Sequence, residues 1–220
     1  MKTKAPLKRV DTRLAAYATL AGAAIAAPAI PTADATIVWS GPISINIPSN
    51  TDGVYLNVVT GVFNGVASSV PGWDVNPYSS GDLSFFNAGA PAGGVYVLRT
   101  GGGAPGNLPF GTLIDAISVY GQGTASTSGN QPFVLNSNQN IVGFRFQNEA
   151  AGNQTEYGWM RISLGAALNA QPRVIVEYAY ENSGAGIAAG AIPEPSTAAL
   201  LSVMAAGALG VREWRRRKAA

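Results

Sequence analysis

Between residues 36 and 192 apolar and polar side chains alternate with a period of two, and no 3.6-residue apolar stripe develops anywhere in that stretch. Ile43, Ile45 and Ile47 alternate with Ser44 and Asn46. Val142, Phe144 and Phe146 alternate with Gly143, Arg145 and Gln147. Val174, Val176, Tyr178 and Tyr180 fall on one face, and Ile175, Glu177, Ala179 and Glu181 on the other. Successive side chains of a strand point to opposite faces, so this pattern sets one face on a core and one in water. Further strands are predicted at 36–40, 54–59, 83–87, 95–99, 113–119 and 156–164, separated by Gly, Pro, Asn and Ser. Around ten short strands predict an all-β domain over 36–182: a two-sheet antiparallel sandwich, jelly-roll-like. A domain of this size buries roughly two-thirds of its unfolded surface, so it needs no disulfides to fold.

The stretch Thr155 to Leu164 departs from strict alternation. Met160, Ile162 and Leu164 share one face while Tyr157 and Trp159 occupy the other, as expected of a strand covered on both sides. Two regions read as mobile: 88–94 with 101–106, and 121–131, where a single Ala is the only apolar anchor. Residues 183–192 read as a small-residue linker.

The chain contains no Cys and no His. That excludes thiolate nucleophiles, Cys-based metal sites, imidazole general bases and the Ser-His-Asp triad. Acid–base chemistry would have to rest on carboxylates, Tyr or Lys. No cofactor is implied. The formal charge of +2 averages three unlike pieces: +3 over residues 1–35, −4 over 36–192 and +3 over 193–220. The middle has no Lys, so it lacks the clustered cations that displace counterions from a phosphate backbone, and nucleic acid is not an expected partner.

Both ends read as targeting segments. Residues 1–35 place Lys2 to Arg13 before an apolar run from Leu14 to Ala27, then a small-residue cleavage pattern at Ala33-Asp34-Ala35, with Ala27-Pro28-Ala29 as a second candidate. This is the layout of a secretory signal helix. The run is about 21 Å long as a helix. That falls short of the ~30 Å hydrocarbon core and favours a cleaved signal over an uncleaved anchor. At the other end, Pro193-Glu194-Pro195 precedes an apolar stretch, 198–211, predicted as a short transmembrane helix. The basic cluster Arg212, Arg215, Arg216, Arg217 and Lys218 follows in the tail 212–218. Arg and Lys clusters stay cytoplasmic, so both ends lie inside and the middle outside.

Residues 193–218 resemble the PEP-CTERM sorting signal of exported proteins of Gram-negative bacteria. The likeness rests on Pro193-Glu194-Pro195, the apolar stretch and the terminal basic cluster. It implies signal peptidase and exosortase as partners during export and transient membrane residence through the C-terminal helix. It further implies removal of the tail near the Pro-Glu-Pro motif and delivery to the cell surface or extracellular polysaccharide matrix. The prolines fit a protease substrate, because they keep the backbone extended. A plain C-terminal anchor is the other reading of the same residues. The run from Gly143-Phe144-Arg145-Phe146 through Trp159 to Tyr180-Glu181 also looks like a recurring C-terminal half of such proteins, and that likeness implies no activity.

Three constellations within the domain could carry chemistry. Glycosidases use two facing carboxylates, and Asp74, Asp82, Asp115, Glu149, Glu156, Glu177 and Glu181 are available. Glu177 and Glu181 lie about 13 Å apart along one strand, too far for a retaining pair, and surface solvation is the expected state of these acids. Trp73, Tyr78, Tyr157 and Trp159 could stack on sugar rings, although large rings commonly fill sandwich cores. Asp74, Asn76, Asp82 and the Asp52-Gly53 turn supply oxygens of the kind calcium takes, without a complete loop pattern. Asn153-Gln154-Thr155 matches a glycosylation sequon. No catalytic, cofactor or metal residue is assigned. The expected role is that of a non-enzymatic exported protein, structural or adhesive, with a carbohydrate-binding module as the alternative and a carboxylate glycoside hydrolase as the third reading.

Overall fold

The computed structural model describes residues 36–193. The signal segment with Ala33 and Ala35, Glu194 and Pro195 of the sorting motif, the apolar stretch 198–211 and the basic cluster lie outside the described residues. So do the two stretches expected as flanking helices. Among the described residues no helix is long and apolar enough to cross a membrane.

The strands are β1 (Ile37–Trp39), β2 (Ile45–Asn46), β3 (Tyr55–Leu56), β4 (Phe63–Asn64), β5 (Val75–Tyr78), β6 (Ser84–Asn87) and β7 (Tyr96–Val97). They continue as β8 (Leu113–Ile114), β9 (Tyr120–Gly121), β10 (Gly123–Thr124), β11 (Ser137–Asn148), β12 (Gln154–Leu164), β13 (Arg173–Glu181) and β14 (Ile187–Ala188). The domain is all-β and sandwich-like. A seven-stranded antiparallel sheet runs β1-β13-β12-β11-β7-β9 with β2 also on β13; a five-stranded sheet runs β10-β6-β5-β3-β4; β14 pairs with β8. The longest alternating stretches became the longest strands, β11, β12 and β13, each antiparallel to the next.

The main core lies between the two large sheets. It joins Val142, Phe144, Phe146, Met160, Ile162, Tyr178 and Tyr180 of the larger to Leu56, Val75 and Phe85 of the smaller. A second core covers the opposite face of the seven-stranded sheet, where Tyr157, Trp159, Ile141 and Ala179 pack under Leu108, Ile114, Ile187 and Ala189. The two-faced pattern of β12 is thus explained: it has apolar cover on both sides. Gly143 makes the second layer possible, since a Cβ there would stand 2.8 Å from both Leu108 and Val97 side chains.

Four expectations need correction. Residues 183–192 are not a free linker: β14 pairs with β8, Ile187 and Ala189 are buried, and Trp159 Nε1 donates to Ala191 O at 2.9 Å. The stretch 121–131 is not one flexible loop, because its first residues form β9 and β10 and Ala125 is buried. The loop 88–94 is held by Arg145, whose guanidinium donates to Gly94 O and Ala92 O, both at 2.9 Å, and lies over the Tyr120 ring. In β13 the register jumps from Arg161↔Glu177 to Ile162↔Ile175, leaving Val176 as an extra residue. That bulge turns Ile175 into the main core, whereas strict alternation had given this face to Val174 and Val176.

Between the sheets sits a guanidinium with no solvent exposure. Arg173 spends its donors on main-chain carbonyls alone: Nε on Ile47 (3.3 Å), Nη1 on Asp82 (2.6 Å) and Leu168 (3.0 Å), Nη2 on Ser79 (3.0 Å) and Pro48. Burial lowers its pKa from the ordinary arginine value. Truncating one side of such a buried charged network leaves the other side desolvated and unpaired. Arg173→Met is expected to cost about 3–5 kcal/mol in urea unfolding, and Arg173→Lys to recover little, since a compact ammonium cannot reproduce a planar five-donor fork. Near-wild-type stability of either variant would contradict this.

Candidate functional site

The outer side of the five-stranded sheet carries a connected strip of rings. Tyr55 of β3 meets the Trp73 ring edge-on at 4.9 Å, Trp73 stacks on Phe86 of β6 at 6.4 Å and 26°, and Phe86 meets Tyr78 of β5 edge-on at 6.2 Å. Alternation explains the placement. Val75, Pro77 and Phe85 turn inward, so their neighbours Tyr78 and Phe86 turn outward. Phe86 is 47% exposed, and Tyr55, Trp73 and Tyr78 are half-buried.

Of the four rings singled out from the sequence, the structure brings Trp73 and Tyr78 together on this strip. It removes the other two. Trp159 and Tyr157 are buried in the second core and cannot reach a ligand. Their place is taken by Tyr55 and Phe86, which sequence reasoning had missed. The signal was present for Phe86, because Phe85-Phe86 in a strand must send one ring to each face.

Beside Trp73 the surface dips into a pocket of about 220 Å³ lined by Gly72, Trp73, Asp74, Gln147, Glu149 and Asn153, with Ala88 to Ala90 on one wall. Small-molecule sites that enclose a ligand run to about 300–1,000 Å³, so this one can hold only part of a larger molecule. Gly72 shapes it: its φ is +62°, and a Cβ there would stand 2.6 Å from Glu149 Oε1. The sequon residue Asn153 also has positive φ, at 64°, and follows the short 3₁₀ turn Glu149–Ala151.

Carboxylates expected at the surface are buried instead. Glu156 is fully buried, Glu181 is 2% exposed and Asp74 is 4% exposed. Asp74 Oδ2 accepts the Val58 N–H at 2.8 Å. Burial pushes its carboxyl up to about 7, with the Val58 bond opposing and the Glu149 and Glu156 charges adding. Glu156 Oε1 accepts from Asn148 Nδ2 at 3.0 Å, and its Oε2 has no hydrogen-bond partner. Burial raises this carboxyl too, the Asn148 bond opposing and the Glu181 charge adding. Glu181 Oε1 accepts the Ser183 N–H at 2.9 Å. Glu177 is also engaged, in an ion pair with Arg161 Nε at 2.7 Å and a bond from Trp39 Nε1 at 2.8 Å. Surface solvation is the expectation for acids taken one at a time, and only the neighbouring strands and turns reveal that these are covered.

Of the groups weighed for calcium, Asp74 is engaged through Oδ2 and Asn76 is held in place by its own N–H donors. Asn76 Nδ2 donates to Asp52 O and Val54 O, at 2.8 and 3.0 Å, and the Asn76 N–H donates to Tyr96 Oη at 2.6 Å. Among the described residues no group of three acids converges as a metal site would require. Asp115 closes a turn through the N–H groups of Ile117 and Ser118.

Asp74 gives a signed pH dependence. The folded protein binds this proton more tightly than the unfolded chain. Its contribution to stability is therefore complete below the usual carboxylate range and is lost as pH rises towards about 7. Glu156 acts in the same direction. The loss attributable to Asp74 is on the order of 3–4 kcal/mol. Asp74→Asn, which keeps an oxygen for Val58, is expected to be more stable than wild type at pH 8 and to flatten the pH profile of thermal unfolding between 4 and 7. An unchanged profile would refute the assignment.

No protein-family model, curated protein or solved structure matches the chain.

Proposed function

We propose that this is an exported, non-enzymatic surface or matrix protein of a Gram-negative bacterium that adheres to polysaccharide through the Tyr55–Trp73–Phe86–Tyr78 strip. The strip is the observation that carries the adhesive reading. Aromatic faces over a half-open polar pocket suit an extended sugar chain, with ring faces packing on Trp73 and Phe86 and hydroxyls reaching Gln147, Glu149 and Asn153. The near-parallel pair is Trp73 and Phe86 only; the outer two rings stand edge-on and frame it.

The export reading rests on the two ends of the sequence, with signal peptidase cutting at Ala33-Asp34-Ala35 and exosortase acting near Pro193-Glu194-Pro195. One feature of the fold supports it. Among the described residues the last one bonded into the domain is Ala191, which accepts from Trp159, and Ile192 and Pro193 are exposed. A cut at the motif would therefore leave β14 and the second core whole.

A second reading, a carboxylate glycoside hydrolase, is favoured by one observation. Asp74, with its raised pKa of about 7, and exposed Glu149 line the same pocket. Glycosidases work with a pair of carboxyl groups of which one, the general acid, has its pKa raised.

Co-sedimentation of the secreted protein with the producing strain's matrix polysaccharide separates these readings. Trp73→Ala and Phe86→Ala, both at the surface, are expected to reduce retention about tenfold together, which corresponds to roughly 1.4 kcal/mol, with no reducing ends released by wild type. Unchanged retention by the double variant removes the adhesive strip. Release of reducing ends that stops in Asp74→Asn or Glu149→Gln moves the protein to the hydrolases.

A further inference from the structure

We propose that the surface carrying Phe110, Leu113, Ile117 and Val119 is a membrane seat that rests on the lipid bilayer while the precursor is tethered. The inference rests on the reading of 198–211 as a membrane segment and adds a contact that the reading does not itself require.

The observations begin with exposure. Phe110 is 76% exposed, Leu113 57%, Ile117 89% and Val119 65%, within one ten-residue stretch of a chain whose other large side chains mostly reach a core. They adjoin one another across Leu108: Leu113, Ile117 and Val119 line one groove beside it, and Phe110 and Val134 line the next. A soluble surface seldom gathers apolar groups in this way without a partner.

Ile117 is displayed rather than merely left outside. It sits in a turn closed by Asp115 Oδ1, which accepts the N–H groups of Ile117 and Ser118 at 3.0 and 3.2 Å, and Tyr120 Oη donates to Asp115 O at 2.7 Å. Turns fixed in this way ordinarily carry Gly, Asn or Ser. Here the turn holds out an isoleucine.

The position of the chain's exit says what covers the patch. β14 pairs with β8, placing Ala188 opposite Leu113. The Ala189 N–H donates to Thr112 O and the Gly111 N–H to Ala189 O, at 2.8 and 2.9 Å. Phe110 lies over Gly190, where a Cβ would stand 2.5 Å from its ring. The last residues of the domain are therefore bonded to the segment that bears the patch. Only residues 192–197 separate Ala191 from Ala198, where the apolar stretch begins. Fully extended, they span about 21 Å. A domain tethered that closely brings its exit face to the headgroups, and the apolar side chains on that face are the ones that gain from leaving water. Arg99, which lines the first groove, suits an anionic lipid surface. The aromatic strip belongs to the other large sheet, with the main core and the seven-stranded sheet between it and this face. Seating on the bilayer thus leaves the strip free.

The absence of cysteine makes the test direct. Full-length protein carrying Ile117→Cys, Leu113→Cys, Phe63→Cys or Met204→Cys is labelled with an environment-sensitive fluorophore and reconstituted into phosphatidylethanolamine–phosphatidylglycerol vesicles containing brominated lipid. Quenching at 204, 117 and 113 several-fold above that at 63, an exposed site on the five-stranded sheet, is the expected result. Quenching at 204 with 117 and 113 no different from 63 overturns the seat while leaving the membrane segment in place. A blue-shifted probe at 117 that bromine does not quench shows the patch covered by 198–211 or by a second copy, and also overturns it. No quenching at 204 removes the membrane reading, and the seat with it.

Discussion

One arginine without a carboxylate partner organises the join between the sheets. The five N–H donors of Arg173 meet five main-chain carbonyls, from the segment after β2, the turn between β5 and β6, and the loop before β13. Each carbonyl belongs to irregular backbone, which in a buried place must find a donor or be desolvated at a cost. The guanidinium satisfies them together and so ties the β5–β6 turn of the smaller sheet to the root of β13. Everything else in the main core, from Phe85 on one side to Tyr178 on the other, packs in the space that this anchor sets.

The layering that follows gives the two faces of the molecule different chemistry. On the far side of the five-stranded sheet, outward positions of short strands present aromatic rings beside a polar pocket. On the far side of the seven-stranded sheet, Gly143 leaves room for a second apolar layer, which the C-terminal strand completes. That layer is closed by residues that sequence composition made look like spacer. Ile187, Ala189 and the carbonyl of Ala191 belong to the core and its hydrogen bonds.

The long strands were legible because their alternation is long enough to outweigh local irregularity; β11, β12 and β13 lie where Val142, Met160 and Tyr178 place them. Shorter elements were not. No strand was expected at β5, where Pro77 has no N–H to give a ladder, yet it takes part through its carbonyl, which accepts the Val54 N–H. β14 is a two-residue strand set among small residues, and its pairing depends on β8, more than seventy positions earlier in the chain. The site was half legible. Trp73 and Tyr78 were visible as large rings, while Trp159 and Tyr157, grouped with them as possible sugar contacts, lie on the strand whose pattern already read as covered on both sides, and the second layer buries them. The burial of Glu156, Glu181 and Asp74 was hidden because it depends on neighbouring segments that the local pattern does not place.

The central claim is that the two basic ends are addresses and the acidic, packed middle is the product. Intact-mass measurement of the protein from matrix, membrane and cytoplasmic fractions, in strains with and without an active exosortase, tests it most directly. The account predicts a matrix species that starts after Ala35 and ends near Pro193-Glu194-Pro195, and a membrane-held species retaining Arg212 to Lys218 when the exosortase is lost. A full-length chain recovered from the cytoplasm, or a tail kept intact in the active strain, would contradict it.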